Sequence, residues 1–268
     1  NTKKTPSSSR WTAFSQGLLL LWGCGLITPA SGMDFSLGGF GTLGAARSSD
    51  ESAEFVRDLS QPHGLTQHWS IDTDSILGIQ ANVGFSPELR AAVQAVARYR
   101  FDDTYEPEIS WAFLGYTPTP AWTVRAGRLG TEFYMLSDSR MVGYSYLTVR
   151  PPVDFYGTLP FNSVDGLDVA AATPFAGGLL KGKLYAGLSR EKSPWEDLQF
   201  NMSGSRLVGG YLDYQKGHWQ IRLGHARVRF DSDLPIDDFY ALLPAATADE
   251  LRVKDHWTDF NSLGMVYD

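Results

Sequence analysis

From about residue 35 onward, apolar and polar positions alternate with a period of two. In 77–85 the odd positions are Leu77, Ile79, Ala81, Val83 and Phe85, and Gly78, Gln80, Asn82 and Gly84 lie between them. In 89–101 the odd positions run Leu89, Ala91, Val93, Ala95, Ala97, Tyr99 and Phe101, opposite Arg90, Gln94, Arg98 and Arg100. Alternation of this length predicts strands with two different faces. The alanines of 89–99 favour a helix by propensity, but the Ser86-Pro87-Glu88 turn and the aromatic ending favour a strand. The same pattern predicts ten strands: 35–46, 68–85, 89–101, 108–117, 121–129, 164–173, 179–190, 206–215, 219–230 and 260–267.

The connections between these strands alternate in length. Short turns at 86–88, 118–120, 174–178 and 216–218 alternate with longer stretches at 47–67, 102–107, 130–163, 191–205 and 231–259. Outer-membrane barrels have this asymmetry, with short turns on one rim and long loops on the other. A sandwich or propeller has no reason to place every long loop on one edge. The fold class expected is therefore all-β, an antiparallel transmembrane β-barrel. Phe85, Trp122 and Trp219 near short turns, and Tyr99 and Phe101 near a long one, suit aromatic girdles at two membrane interfaces.

The first 32 residues stand apart. Lys3, Lys4 and Arg10 precede an apolar run, GLLLLWGCGLI at 17–27, which is followed by Pro29, Ala30, Ser31 and Gly32. A basic start, a short apolar run and a small-residue end predict a secretory signal over 1–32, with the barrel domain in 33–268. The run is too short to span a bilayer as a helix, and no later segment reaches about 18 apolar residues. An exported chain can still cross a membrane with strands, because a closed barrel pairs every backbone group. The chain has 268 residues and a formal charge of −7, which becomes −10 once the basic leader is removed. That charge argues against nucleic-acid binding. The single Cys, Cys24, lies in the leader, so the mature chain would have none.

No catalytic constellation emerges. The five histidines, at 63, 68, 218, 225 and 256, lack metal-ligand spacing. There is no Gly-x-Ser-x-Gly elbow, and the carboxylate pairs Asp72/Asp74 and Asp237/Asp238 are of a kind common on polar faces. The expectation is a non-enzyme without cofactor or metal.

Strand parity assigns an inner wall. With the apolar set outward, Arg90, Arg98, Arg100, Arg125, Lys181, Lys183 and Arg222 face the lumen. After Gly224 the apolar parity shifts to Ala226, Val228 and Phe230, which predicts a bulge. Asp72, Asp74 and Glu108 are the chief inward acids expected on strands, outnumbered by bases. The stretch 130–163 is long for a connection and rich in aromatics that need burial: Phe133, Tyr134, Met135, Tyr144, Tyr146, Phe155, Tyr156 and Phe161. It can pack inside a wide barrel and bring Glu132, Asp138, Arg140, Arg150 and Asp154 to a constriction, or it can cap the barrel mouth. Charges facing each other across a narrow point govern ion selectivity, and the inward bases predict a local anion preference or a crossed field, unless Glu132, Asp138 and Asp154 neutralise them.

The stretch RAGRLGTEFYMLSDSRMVGYSYLTVRPPVDFYGTLPFNSVDGLD at 125–168 resembles Gram-negative porins. So do SLGGFGTLGAAR at 36–47, EFVRDLSQP at 54–62 and WSIDTDSILGIQANVGFS at 69–86. The resemblance covers most of 35–190. It implies a barrel of 16 strands or a similar number in the outer membrane, commonly a homotrimer amid outer-membrane lipid, passing small hydrophilic solutes or ions. It also implies that 130–163 folds into the pore. About ten strands are present, so the chain is expected to be the N-terminal part of such a barrel. Two other readings remain open: a secreted soluble β-sandwich or propeller that binds carbohydrate, and a plugged barrel that serves as adhesin or anchor.

Overall fold

A computed structural model describes residues 33–50, 52–195 and 198–267, so the expected leader lies outside the described residues. Ten strands form one antiparallel sheet: β1 (Asp34–Thr42), β2 (Ile76–Gly84), β3 (Leu89–Arg98), β4 (Glu108–Thr119), β5 (Trp122–Gly130), β6 (Ser163–Phe175), β7 (Gly178–Leu188), β10 (Arg206–Lys216), β11 (Trp219–Arg229) and β12 (Trp257–Tyr267). A separate hairpin, β8 (Lys192–Trp195) with β9 (Leu198–Asn201), lies in the connection between β7 and β10. Each strand of the large sheet pairs with the next one along the chain, in a simple meander. The expected all-β antiparallel fold is observed, and 89–98 is a strand despite its alanines.

The four tight turns at 85–88, 120–121, 176–177 and 217–218 share one edge. The long connections 43–75, 99–107, 131–162, 189–205 and 230–256 share the other. An exposed aromatic row follows the short-turn edge: Phe85, Tyr116, Trp122, Phe175, Trp219 and Tyr267. At the turn 176–177, Ala176 and Gly177 both have positive φ, 47° and 75°. That hand of backbone matches the twist of the paired strands, as in two-residue hairpins.

The sheet is strongly curved. Ten flat strands about 4.8 Å apart would be roughly 43 Å wide. Yet the connection 131–162 touches both edge strands. A Cβ placed on Gly264 of β12 would lie 2.9 Å from Met135 Cβ, and one placed on Gly143 would lie 2.8 Å from Thr42 Oγ1 of β1. The segment 135–143 can reach at most about 28 Å fully extended, and single helical turns at Ser137–Ser139 and Gly143–Ser145 shorten it further. The sheet therefore bends around this connection as a barrel wall, with β1 and β12 as its edges among the described residues.

The two faces of this wall differ as parity predicts. Leu77, Ile79, Val93, Val124 and Leu184 are exposed on the convex face, Leu184 to 72%. Contiguous exposure of large apolar side chains marks a surface that meets lipid or another apolar partner. Ala92, Gln94, Val96 and Arg98 are buried on the concave face of β3, where Gln94 Nε2 donates to Gln80 at 2.9 Å. Placing arginine at Val93 should cost about 2–4 kcal/mol in a bilayer if the site is near the midplane. Urea unfolding from vesicles, with Tyr116→Arg at the rim as reference, checks this; an equal cost at the two positions would contradict a lipid-facing Val93.

Several expectations are corrected. The stretch 68–75 is not strand: Ser70 Oγ donates to the Asp72 carboxylate and accepts from Asp72 N, which offers the chain a turn instead of a ladder. Asp72 and Asp74 therefore sit in a connection, not on a strand. No bulge occurs at Gly224, because β11 keeps unbroken register with β10 and β12. Ala226 and Val228 instead share the inner face with Arg222 and are buried beneath the long connections, while His225 and Arg227 point outward. The register shifts that do occur lie at Gln94/Ala95 and between Tyr116 and Thr119. The stretch 231–259 contains two short helices, α1 (Asp237–Ala241) and α2 (Ala245–Leu251), that alternation could not show.

Candidate functional site: a loop latched to the inner wall

The connection 131–162 leaves β5 and turns inward. Thr131 Oγ1 donates to Phe161 O at 2.8 Å, closing the base of the loop, and Ser137 Oγ donates to Thr131 O at 3.0 Å. The next residues lie against the concave face. Phe133 O accepts from Ser262 Oγ at 2.9 Å, and its ring sits 5.5 Å from Phe260 and 6.0 Å from Phe161. Phe161 then packs on Phe230, which meets Phe200 of the β8–β9 hairpin. Leu129, Val164, Met202, Leu207 and Val228 complete a dry cluster between loop and wall.

Beside this cluster lies a group of six charges. Glu132, buried at the start of the loop, pairs with Lys183 and lies 3.6 Å from both Arg125 and Arg222. Asp168 stands directly across the ladder from Arg125 and bonds its guanidinium, with both carboxylate oxygens 3.0 Å from Nε. Asp213, across from Arg222, accepts from its Nε and Nη2 at 2.7 Å each. Tyr211 closes the group, its ring centroid 3.7 Å from the Arg222 guanidinium and 5.4 Å from the Lys183 ammonium. Three cations thus meet three carboxylates. Burial opposes ionisation of Glu132, but Lys183 and then Arg222 outweigh it and hold the carboxyl below its usual range.

A second polar group ties the connection 43–75 to the same region. Asp58 pairs with Arg98 at 3.0 Å, and Glu108 meets the same guanidinium at 3.3 Å. Leu59 N donates to Gly157 O at 3.0 Å, and Arg57 Nη2 donates to Arg140 O at 3.1 Å. Arg150 pairs with Asp74 at 2.6 Å, so the two inward connections brace each other. Burial pushes the Asp58 carboxyl up, but Arg98, the Ser60 hydroxyl and Arg140 outweigh it and hold it well below the carboxylate range. Its attraction is therefore complete above the unfolded value near 4 and is lost only as pH falls through the depressed folded value. Limited proteolysis of 43–75 should show no change from pH 7 to pH 5 and should rise only in stronger acid. In Asp58→Asn, cleavage should be fast throughout; release of the wild-type segment already at pH 5 would overturn this.

The candidate residues fall into separate groups. Arg125, Lys183, Arg222 and Glu132 come together. Arg98 joins Asp58, and Arg100 lies past the end of β3, 3.6 Å from Asp102 and 4.0 Å from Glu108. Arg140 is buried and donates to Phe161 O at 3.0 Å, so it supports the loop from behind. Asp138 and Asp154 form no ion pair among the described residues. Arg90 and Lys181 also form none; both are exposed on the concave side, Arg90 beside Gly115 and Arg125. The acids that meet the inner bases are Asp168 and Asp213 on neighbouring strands, Asp58 from a connection and, of the three loop acids that could neutralise them, Glu132 alone. The strand acids Asp168 and Asp213 were legible by parity, since each lies on the inner set of its strand. Asp58 carried no signal, because a connection has no period.

No family model matches the chain, and no curated protein matches it. Among solved structures it is similar to a loop L8 deletion mutant of OmpT, an outer membrane protein of Vibrio cholerae. The identity is 14% and the TM-score 0.33, over 74% of this chain and 70% of that one. It is also similar to Salmonella typhi OmpF in complex with daunomycin, at 12% identity and a TM-score of 0.33, over 75% of this chain and 67% of that one. At these values the fold rests on the sheet itself: an antiparallel barrel wall, apolar outside, with a long connection latched to its inside.

Proposed function

We propose that this chain forms the wall of an outer-membrane channel for passive diffusion of small hydrophilic solutes or ions, and that it acts without catalysis. The observation that carries this reading is the inward connection 131–162, latched through Glu132 to a wall whose outer face is apolar. A wall of this kind needs lipid outside, and an inward loop narrows whatever space it encloses. Arg90 and Lys181, the inner-face bases without ion pairs among the described residues, are the groups left to act on passing ions. Association as a homotrimer follows from the porin resemblance and belongs to the same proposal.

A second reading is favoured by the dry cluster of Leu129, Phe161, Phe200, Met202 and Val228, which fills part of the interior. Under that reading the barrel is plugged and serves as an anchor. Conductance in planar bilayers separates the two. The channel reading expects discrete steps, with a reversal potential in a salt gradient that moves toward cations in Arg90→Glu/Lys181→Glu. Absence of steps from protein that extracts only with detergent supports the plug, and extraction without detergent overturns both.

A further inference from the structure

A cavity of about 260 Å³ opens at the long-loop edge, between the connections 99–107 and 189–205, and Arg98, Arg100, Phe101, Glu108, Arg190 and Lys192 are among its walls. It is distinct from the Glu132 latch. Its acids are already engaged. Glu108 meets Arg98. Glu191 accepts from the backbone N of Ser163 at 3.0 Å and of Asn162 at 3.2 Å, and from Ser163 Oγ at 3.1 Å. Arg190 shares the Asp165 carboxylate with Arg128.

Its bases are less well served. Arg100 Nη1 donates to Glu106 O at 3.3 Å, but its Nε is buried without a hydrogen-bond partner among the described residues, and the Asp102 and Glu108 carboxylates stand 3.6 and 4.0 Å from the guanidinium, beyond hydrogen-bond reach. Lys192 forms no ion pair among the described residues. Both cations lie against one ring, Arg100 Cζ 5.3 Å and Lys192 Nζ 6.0 Å from the Phe101 centroid. A buried guanidinium N–H without a partner is costly, and two cations gathered on one ring repel each other. An anion with several oxygens relieves both.

We propose that this cavity binds a phosphate monoester group, held by the Arg100 guanidinium and the Lys192 ammonium. A phosphate offers several strong acceptors to a guanidinium and a point charge to an ammonium, the two donor types present. The cavity leaves room for the group that carries the phosphate. That group is either a solute in the space the wall encloses, where Arg98 places the cavity, or the phosphorylated headgroup of a lipid reaching over the long-loop rim.

The test uses the full chain refolded in neutral detergent. Isothermal titration with inorganic phosphate forms one arm. Flotation with phosphatidylcholine vesicles, with and without a diphosphorylated lipid A, forms the other. Saturable binding is expected in at least one arm, with affinity reduced at least ten-fold in Arg100→Gln/Lys192→Gln. Response to inorganic phosphate assigns a solute site, and response only to phosphorylated vesicles assigns a lipid site. If the double variant misfolds, Lys192→Gln alone carries the test, since that side chain is exposed, and conductance should stay at the wild-type value. No saturable binding in either arm, or equal binding by the folded variant, overturns the proposal.

Discussion

Replacing Glu132 by glutamine is expected to destabilise the folded chain by about 3–5 kcal/mol and to free the inward connection from the wall. Glu132 is the loop carboxylate that forms ion pairs with Lys183, Arg125 and Arg222. Asp168 and Asp213 remain, so the substitution leaves three cations, Arg222 buried and Arg125 and Lys183 partly so, facing two acids. Removing one partner of a buried ion pair costs this much because the other charge stays desolvated without compensation. Urea unfolding in detergent micelles measures the loss. A double substitution, Glu132→Gln/Lys183→Gln, should recover part of it, since it removes the orphaned ammonium as well. If the double variant loses as much as Glu132→Gln and Lys183→Gln added together, Lys183 and Glu132 are not coupled. In bilayers, the channel reading expects the single variant to show noisier and larger conductance steps, because the loop samples more positions. A stability loss below about 1 kcal/mol would mean the latch is solvated and holds nothing.

The second large effect is expected at Phe161. Its side chain is fully buried, with 0% exposure, and touches both Phe133 of the inward segment and Phe230 past the end of β11. Phe161→Ala should cost about 3–5 kcal/mol through lost transfer energy and the cavity left behind. The effect should reach beyond the immediate site, since Phe161 O also accepts from Thr131 Oγ1 and Arg140 Nη2. Phe161→Leu, which keeps most of the volume, should cost well under half as much. Unfolding midpoints of the two variants check the ordering. Equal losses would indicate that ring shape, not volume, holds the loop. Phe155, exposed on the same connection, is the contrast: Phe155→Ala should change stability by less than about 1 kcal/mol.

Strand existence and the facing of side chains were legible in the sequence because a strand imposes period two whatever it packs against. Leu77, Val93 and Leu184 outward, and Arg98, Arg125, Lys183 and Arg222 inward, follow from counting alone. The gathering of short turns on one edge also follows, since each tight turn reverses the chain between antiparallel neighbours. The same counting misplaced strand ends at 68–75, where the Ser70 hydroxyl bonds local backbone and the Asp72 carboxylate. It also mistook buried Ala226 and Val228 for a change of facing at Gly224. The rule that polar means inward holds only where the lumen is wet, and here the loop and the β8–β9 hairpin make that level dry.

What only the tertiary structure decided is which charges meet. The inner bases were visible one by one, but their neutralisation depends on ladder register, which places Asp168 opposite Arg125 and Asp213 opposite Arg222. It depends equally on two connections whose paths no periodicity encodes, and these deliver Glu132 and Asp58. Electrostatic energy falls with distance and rises with burial, and both are set by chain segments far apart in sequence. The amino-acid pattern by itself therefore determined the wall and its two faces, while the folding of long connections onto that wall determined which of its charges remain unpaired.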